Sequence, residues 1–206
     1  MVVPVMGAIG AAGETAGKGT GVMPQADRAA EARERIARAA LDELPGPGGV
    51  VLLEAGPISE QVAALLPPGS GLTVVTNSVP VALLLSHCEG LSVHLLGGCV
   101  RKGSGATLVG PQVLEQIHVD VAFVAADGVS PERGLTCADP SEVVSRQAVV
   151  RASDKVVLLT EHTRIGRDRL SRFARFAEVD HLVTDAGLDP REIRRLCGRG
   201  PRVTVV

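Results

Sequence analysis

Seven short runs rich in Val and Leu, separated by helical stretches, restrict the fold of this chain more than any other feature. They lie at Val50–Leu53, Leu72–Val75, Ser92–Leu96, Val119–Ala125, Lys155–Leu159, His181–Thr184 and Val203–Val206. A strand with one wet face alternates apolar and polar residues. A run such as Val50-Val51-Leu52-Leu53 does not alternate, so it requires apolar cover on both faces. Helical patterns at 27–44, 59–66, 80–86, 111–117, 140–152, 168–177 and 190–197 supply that cover. The alternation predicts an α/β fold of the Rossmann-like kind, a mostly parallel sheet flanked by helices. One domain is expected over 27–206, preceded by a flexible arm, 1–26, rich in Gly and Ala and without a sustained period.

Several helices announce their own starts. Asp139-Pro140-Ser141-Glu142 and Asp189-Pro190-Arg191-Glu192 each place a capping carboxylate before a proline at the first helical position. Over 168–177, Leu170, Phe173, Ala174 and Ala177 form a helical stripe. The basic cluster Arg164, Arg167, Arg169, Arg172 and Arg175 is then expected to be mostly the solvated face of that helix.

Composition removes several functional classes. The chain has no Trp, no Tyr and three Phe, so platforms for stacking single-stranded bases are nearly absent. A net charge of −2 lacks the basic footprint of a free-standing nucleic-acid binder. Cys88, Cys99, Cys137 and Cys197 form no C-x-x-C pair, and the five histidines show no H-x-x-x-H spacing. No metal site and no disulfide scaffold is expected, and scattered thiols suit a reducing compartment. No apolar run approaches the ~20 residues a membrane span requires, and a basic secretory start is missing. A cytoplasmic protein without a membrane partner is expected. Gly13 to Thr20 looks like a nucleotide-binding loop, but three residues separate its glycines and Gly19 follows Lys18 where Ser or Thr would hold magnesium. No cofactor is expected.

In sheets of this kind ligands bind beyond the carboxyl ends of the strands. Those positions read Glu54-Ala55-Gly56, Thr76-Asn77-Ser78, Gly97-Gly98 with Arg101, Ala126-Asp127-Gly128, Thr160-Glu161-His162-Thr163-Arg164 and Thr184-Asp185. Taken singly, such residues are usually turn formers and caps. Their convergence on one edge predicts a polar cleft for a small molecule, with backbone N–H groups available to an anion.

Taken in order, these motifs resemble the C-terminal effector-sensing domain of DeoR-type bacterial transcriptional repressors. The resemblance rests on Leu72 to Ser78, Leu95-Leu96-Gly97-Gly98 with Arg101, Leu108 to Pro111, Asp120 to Gly128, Gly134-Leu135-Thr136, the span 139–166 and Thr184 to Pro190. It implies a fold similar to ribose-phosphate isomerases, glucosamine-phosphate deaminases and CoA-transferases. It also implies binding of a phosphorylated sugar or related anion that controls an attached winged helix-turn-helix. One helix alone is expected before the first strand, so DNA contact would need a helix-turn-helix this chain is not expected to carry. The family's Gly-Thr-Thr phosphate loop is here Gly56-Pro57-Ile58-Ser59, which loses an N–H donor and a hydroxyl. The family's lysines correspond to Arg146 and Arg164, and its aspartate before His162 to Glu161. The implied effector-binding set is Glu54, Gly56, Ser59, Thr76, Asn77, Gly97, Gly98, Arg101, Asp127, Gly128, Glu142, Arg146 and Arg164.

Three functions compete at this point. A non-enzymatic sensor uses the set to bind a sugar-phosphate-like anion and forms a homo-oligomer. An aldose–ketose phosphate isomerase would use Asp127, Glu142 or Glu161 as base and Lys102 or Arg164 as cation, although the acidic and glycine-rich motifs stand in the reverse of the isomerase order. A headless regulatory subunit would pair with a full-length repressor. The sensor is the expected function.

Overall fold

Residues 25–206 are described by the computed structural model of the chain; the expected arm over 1–26 lies, but for its last two residues, outside them. The first helix, α1 (Gln25–Ala40), runs into a short 3-10 turn, Leu41–Glu43. Then follow β1 (Val50–Leu53), α2 (Pro57–Leu65), β2 (Thr73–Thr76), α3 (Val79–Leu85) and β3 (Ser92–Leu95). A small hairpin, β4 (Cys99–Val100) and β5 (Thr107–Leu108), precedes α4 (Pro111–Leu114) and β6 (Val119–Val124). After β7 (Gly128–Ser130) and β8 (Gly134–Cys137) come α5 (Val143–Arg151), β9 (Ser153–Thr160), β10 (Ser171–Ala174), β11 (His181–Thr184), α6 (Pro190–Cys197) and β12 (Arg202–Val205).

The seven apolar runs form one sheet in the order β12-β11-β9-β6-β1-β2-β3, and every neighbouring pair is parallel. Alternate residues of each strand enter different cores, which is why the runs do not alternate in polarity. Val51, Leu53, Phe123, Val157 and Leu159 pack under α1, α2 and α3 with Ile36, Val62 and Val81. Leu52, Ala122, Val124 and Leu158 pack on the other face with Leu114, Val149 and Leu196. The expected mostly parallel, helix-flanked α/β class is therefore observed. Among the described residues, no helix is long and apolar enough to cross a membrane.

The expected caps are present. Asp139 Oδ1 accepts the Ser141 N–H at 2.9 Å, and Asp189 Oδ1 accepts the Arg191 N–H at 2.7 Å.

One expected helix is not there. The span 168–177 holds strand β10 instead, paired antiparallel with β8, which in turn pairs with β7 in a separate three-stranded sheet. Phe173 and Ala174 are buried as the helical stripe required, but Leu170 is 71% exposed and Ala177 is exposed as well. Two adjacent buried residues satisfy either period. Pairing with β8, more than thirty residues away, decides for the strand.

Strand order reverses beside β1: the chain goes from β1 outward to β2 and β3, then returns to place β6 on the other side of β1. That switch point opens a crevice beyond the carboxyl ends of β1 and β6.

Candidate functional site

A cleft of about 340 Å³ occupies this crevice. Its walls come from the β1–α2 turn (Glu54 to Pro57), Asn77 after β2, the β4–β5 hairpin (Arg101, Ser104, Thr107), Asp127 after β6, and the start of α5 (Asp139, Glu142, Arg146). A smaller compartment of about 120 Å³ adjoins it on the α1 side. The two share Ala55, Gly56, Pro57, Asp127 and Arg146, while Arg33, Glu161 and Arg164 line the smaller one alone.

Backbone geometry holds the rim together. Asn77 Oδ1 accepts the Ala55 N–H at 2.8 Å, and its Nδ2 donates to the Thr107 carbonyl at 3.4 Å, so one amide ties the ends of β1 and β2 to the hairpin. The Thr107 hydroxyl donates to the Leu96 carbonyl at 2.6 Å. At the switch point the Glu54 carboxylate accepts the Ala125 N–H at 3.0 Å, joining the two diverging chains.

The charged side chains form a connected network. Arg146 Nε lies 3.3 Å from Glu54 Oε1, its Nη2 3.0 Å from Glu142 Oε2, and its Nη1 donates to the Ala125 carbonyl at 3.0 Å. The guanidinium carbon sits 5.1 Å over the Phe173 ring, a cation–π contact supplied by the unexpected strand β10. Arg101 pairs with Glu142 and, at 2.9 Å, with Asp139. The Ser141 hydroxyl and N–H, followed by the Arg101 charge, hold the Asp139 carboxyl below its ordinary range. In the smaller compartment Arg164 Nη1 donates to Asp127 Oδ1 at 3.0 Å, and Arg33 Nε to Glu161 Oε1 at 2.6 Å. Asp127 Oδ2 accepts the Ala138 N–H at 3.0 Å.

Of the residues expected to bind an effector, Glu54, Gly56, Asn77, Arg101, Asp127, Glu142 and Arg146 meet in the main compartment. Arg164 stands in the smaller one. Five others stand outside both walls. The buried Thr76 hydroxyl donates to the Leu53 carbonyl at 2.7 Å and accepts the Ser78 N–H at 3.0 Å. Ser59 is buried in the first turn of α2. Gly98 permits close packing of the hairpin, since a Cβ there would lie 2.0 Å from the Leu108 carbonyl oxygen. Gly128 serves the same end, with the Arg167 carbonyl oxygen 2.5 Å from where its Cβ would be, and nothing lies within 4 Å of a Cβ on Gly97.

The arginine cluster is likewise corrected. Arg164 faces the cleft, and Arg169 Nε donates to the Asp127 carbonyl at 3.2 Å, so these two are not a solvated helix face. Polar wall residues that the sequence did not assign to the site include Arg33, Ser104, Thr107, Asp139 and Ser145. Asp139 had a signal, since it opens the capped turn before Glu142. Arg33 had none, because its partner lies 128 residues away.

Away from the cleft, His118, Asp120 and Asp154 each bring one potential ligand atom within 4.8 Å of the others, a grouping that histidine spacing does not reveal. Asp120 Oδ2 already accepts the Val50 N–H at 2.6 Å.

The glycerol-3-phosphate regulon repressor of Escherichia coli is 31% identical over 159 residues, covering 76% of this chain and 62% of that protein. The HTH-type transcriptional regulator GlpR of Haloferax volcanii is 33% identical over 179 residues, covering 85% of this chain and 68% of its own length. The chain thus spans about two thirds of the length of these relatives. Among solved structures, eIF2B beta from Chaetomium thermophilum superposes with a TM-score of 0.51 at 17% identity, over 76% of this chain and 49% of that one, a likeness of fold alone. The model of the DeoR C-terminal sensor domain matches residues 28–186, and the chain belongs to that family.

Proposed function

We propose that this domain senses a phosphorylated sugar or polyol in the cleft at the β1–β6 switch point, as the effector-binding part of a cytoplasmic transcriptional regulator. DNA contact falls to a helix-turn-helix of the kind named in the relatives, not to residues 25–206, and the domain works as a homo-oligomer. The observation that carries this reading is the convergence of Asn77, Arg101, Asp127 and Arg146 around one crevice in a chain of the DeoR sensor family. The cleft volume falls at the lower end of the ~300–1,000 Å³ typical of small-molecule sites, which suits a ligand of a few carbons. The glycerol-3-phosphate repressor of Escherichia coli supports the phosphorylated class by its name.

The sensor is preferred to an enzyme. An isomerase needs a carboxylate disposed to move a proton between carbons. Here the candidate bases Asp127, Glu142 and Glu161 are each engaged by a guanidinium, and Asp127 also accepts a backbone N–H, an arrangement that supports binding. The test is titration calorimetry against glycerol 3-phosphate, fructose 6-phosphate, glucose 6-phosphate and glucosamine 6-phosphate, with Arg164→Ala as control. Binding of at least one, weakened tenfold or more in the variant, is expected. Heat from none of them would overturn the reading.

A further inference from the structure

His118, Asp120 and Asp154 meet at the amino ends of β6 and β9, the opposite edge of the sheet from the cleft. His118 stands two residues before Asp120, so the pleat sends both side chains to one face. Parallel pairing of Val119 with Ser153 and of Val121 with Lys155 sets Asp120 beside Asp154 on the neighbouring strand. His118 Nε2 lies 3.8 Å from Asp120 Oδ1 and 3.2 Å from Asp154 Oδ2. One ligand atom from each residue falls within 4.8 Å of the other two.

Two like charges facing each other across neighbouring strands destabilise a sheet. Among the described residues, no Lys or Arg forms an ion pair with either carboxylate. With a neutral imidazole the trio carries two negative charges and no positive one. An exposed contact between histidine and aspartate contributes little by itself.

We infer that these three residues bind a divalent transition-metal ion of the zinc class, with His118 Nε2, Asp120 Oδ1 and Asp154 Oδ2 as ligands and water completing the shell. The site stands apart from the cleft and from the sensor reading.

The distances suit such an ion. Zinc holds imidazole nitrogen at about 2.0–2.1 Å and carboxylate oxygen at about 2.0–2.2 Å, so two ligands on a tetrahedral ion stand about 3.4 Å apart. The observed 3.2 and 3.8 Å lie on either side of that separation. The donor set selects the metal. An imidazole nitrogen among the ligands favours zinc, nickel or copper, whereas magnesium and calcium take oxygen ligands. Asp120 is oriented from behind: its Oδ2 accepts the Val50 N–H at 2.6 Å and leaves Oδ1 for the ion. Both carboxylates stand on strands rather than loops, so little has to be ordered on binding.

Solvent reaches the trio. The His118 and Asp154 side chains are 66% and 69% exposed. They line, with Glu115 and Arg151, a cavity of about 320 Å³ that has room for the coordinating waters. A bound ion cross-links β6 to β9 and, through Asp120, steadies Val50 at the start of β1.

The test uses the full chain, stripped of metal with a chelator, and titration calorimetry with zinc chloride and, separately, magnesium chloride. One zinc ion per chain should bind, with magnesium weaker by about 100-fold or more. His118→Gln and Asp154→Ala should each weaken zinc by about 100-fold or more, beyond the loss typical of an outer-shell partner. In chelator, the thermal midpoint of Asp154→Ala should equal or exceed that of the wild type, because a like charge has gone. Zinc should then raise the midpoint of the wild type and leave both variants unmoved. Cobalt in place of zinc should give visible bands without a thiolate charge-transfer band, which separates this site from the exposed Cys88, Cys99 and Cys197. The inference is overturned by any of four results: no zinc binding, equal binding of magnesium, zinc binding that survives both variants, or a thiolate band in the one-to-one cobalt complex. A metal-free midpoint for Asp154→Ala several degrees below the wild type would also overturn it, since no repulsion would then await an ion.

Discussion

Arg146 Nε lies 3.3 Å from Glu54 Oε1, with 15% and 4% of the two side chains exposed, so a nearly buried ion pair joins α5 to the end of β1 at the sheet's switch point. Glu54 also accepts the Ala125 N–H from the end of β6. Replacing it with alanine strands a backbone donor and leaves Arg146 with Glu142 as its remaining carboxylate. Losing one member of such a pair costs about 3 kcal/mol. Thermal unfolding of Glu54→Ala should show a midpoint lowered by about 6–12 °C. A shift below about 2 °C would mean that the pair contributes little.

Gly98 and Gly97 are adjacent in sequence and differ in what surrounds them. Gly98 has φ +152° and a potential Cβ contact of 2.0 Å to the Leu108 carbonyl, whereas a Cβ on Gly97 meets nothing within 4 Å. Gly98→Ala should force the β4–β5 hairpin apart and cost about 2 kcal/mol or more, since backbone cannot move aside as a side-chain tip can. Gly97→Ala should stay within about 0.5 kcal/mol of the wild type. Urea denaturation of both variants measures the difference.

Thr76 also belongs to the scaffold. Its hydroxyl bridges the Leu53 carbonyl and the Ser78 N–H in the interior, and Ser78 Oγ in turn accepts the Val81 N–H to cap α3. Thr76→Val keeps the shape and leaves two buried polar groups unmatched, a loss of about 1–3 kcal/mol. Calorimetry on the same protein should return an effector affinity within twofold of the wild type.

At the opposite end of the sheet, Glu43 is nearly buried among Lys155 (2.5 Å), Arg202 and His181 (3.1 Å). Burial pushes the Glu43 carboxyl up, and Lys155, His181 and Arg202 together more than reverse it, leaving it below its ordinary value of 4.5. Burial, helped by the Arg202 charge, lowers His181 below its ordinary 6.5 despite the Glu43 charge. For both groups the unfolded chain binds the proton more readily, so stability falls as pH falls. The loss should begin as pH drops below 6.5 through His181 and steepen below 4.5 through Glu43. Glu43→Gln should shrink the second phase, to which the lowered Asp139 and Glu178 carboxyls also contribute, and keep the first in denaturation curves collected from pH 7.5 to 3.5.

The seven runs from Val50 to Val206 disclosed the sheet because burial on both faces leaves a local mark, an unbroken apolar stretch, that needs no knowledge of neighbours. The caps at Asp139 and Asp189 were equally local: an acceptor two residues from the N–H it satisfies. Strand β10 left no such mark. Phe173 and Ala174 fit either period, and the pairing with β8 that settles the matter is made across the fold. The cleft divides in the same way. Glu54, Asn77 and Asp127 were recognisable as polar strand ends. The engagement of every arginine by a carboxylate was not, nor was the approach of Arg33 to Glu161 across 128 residues. Chain order thus dictates which segments become strands and which ends are polar, because hydrophobic burial and capping act over a few residues. Charge pairing acts through space, so which arginines remain available to an anion emerged only once the sheet had closed and brought distant side chains together.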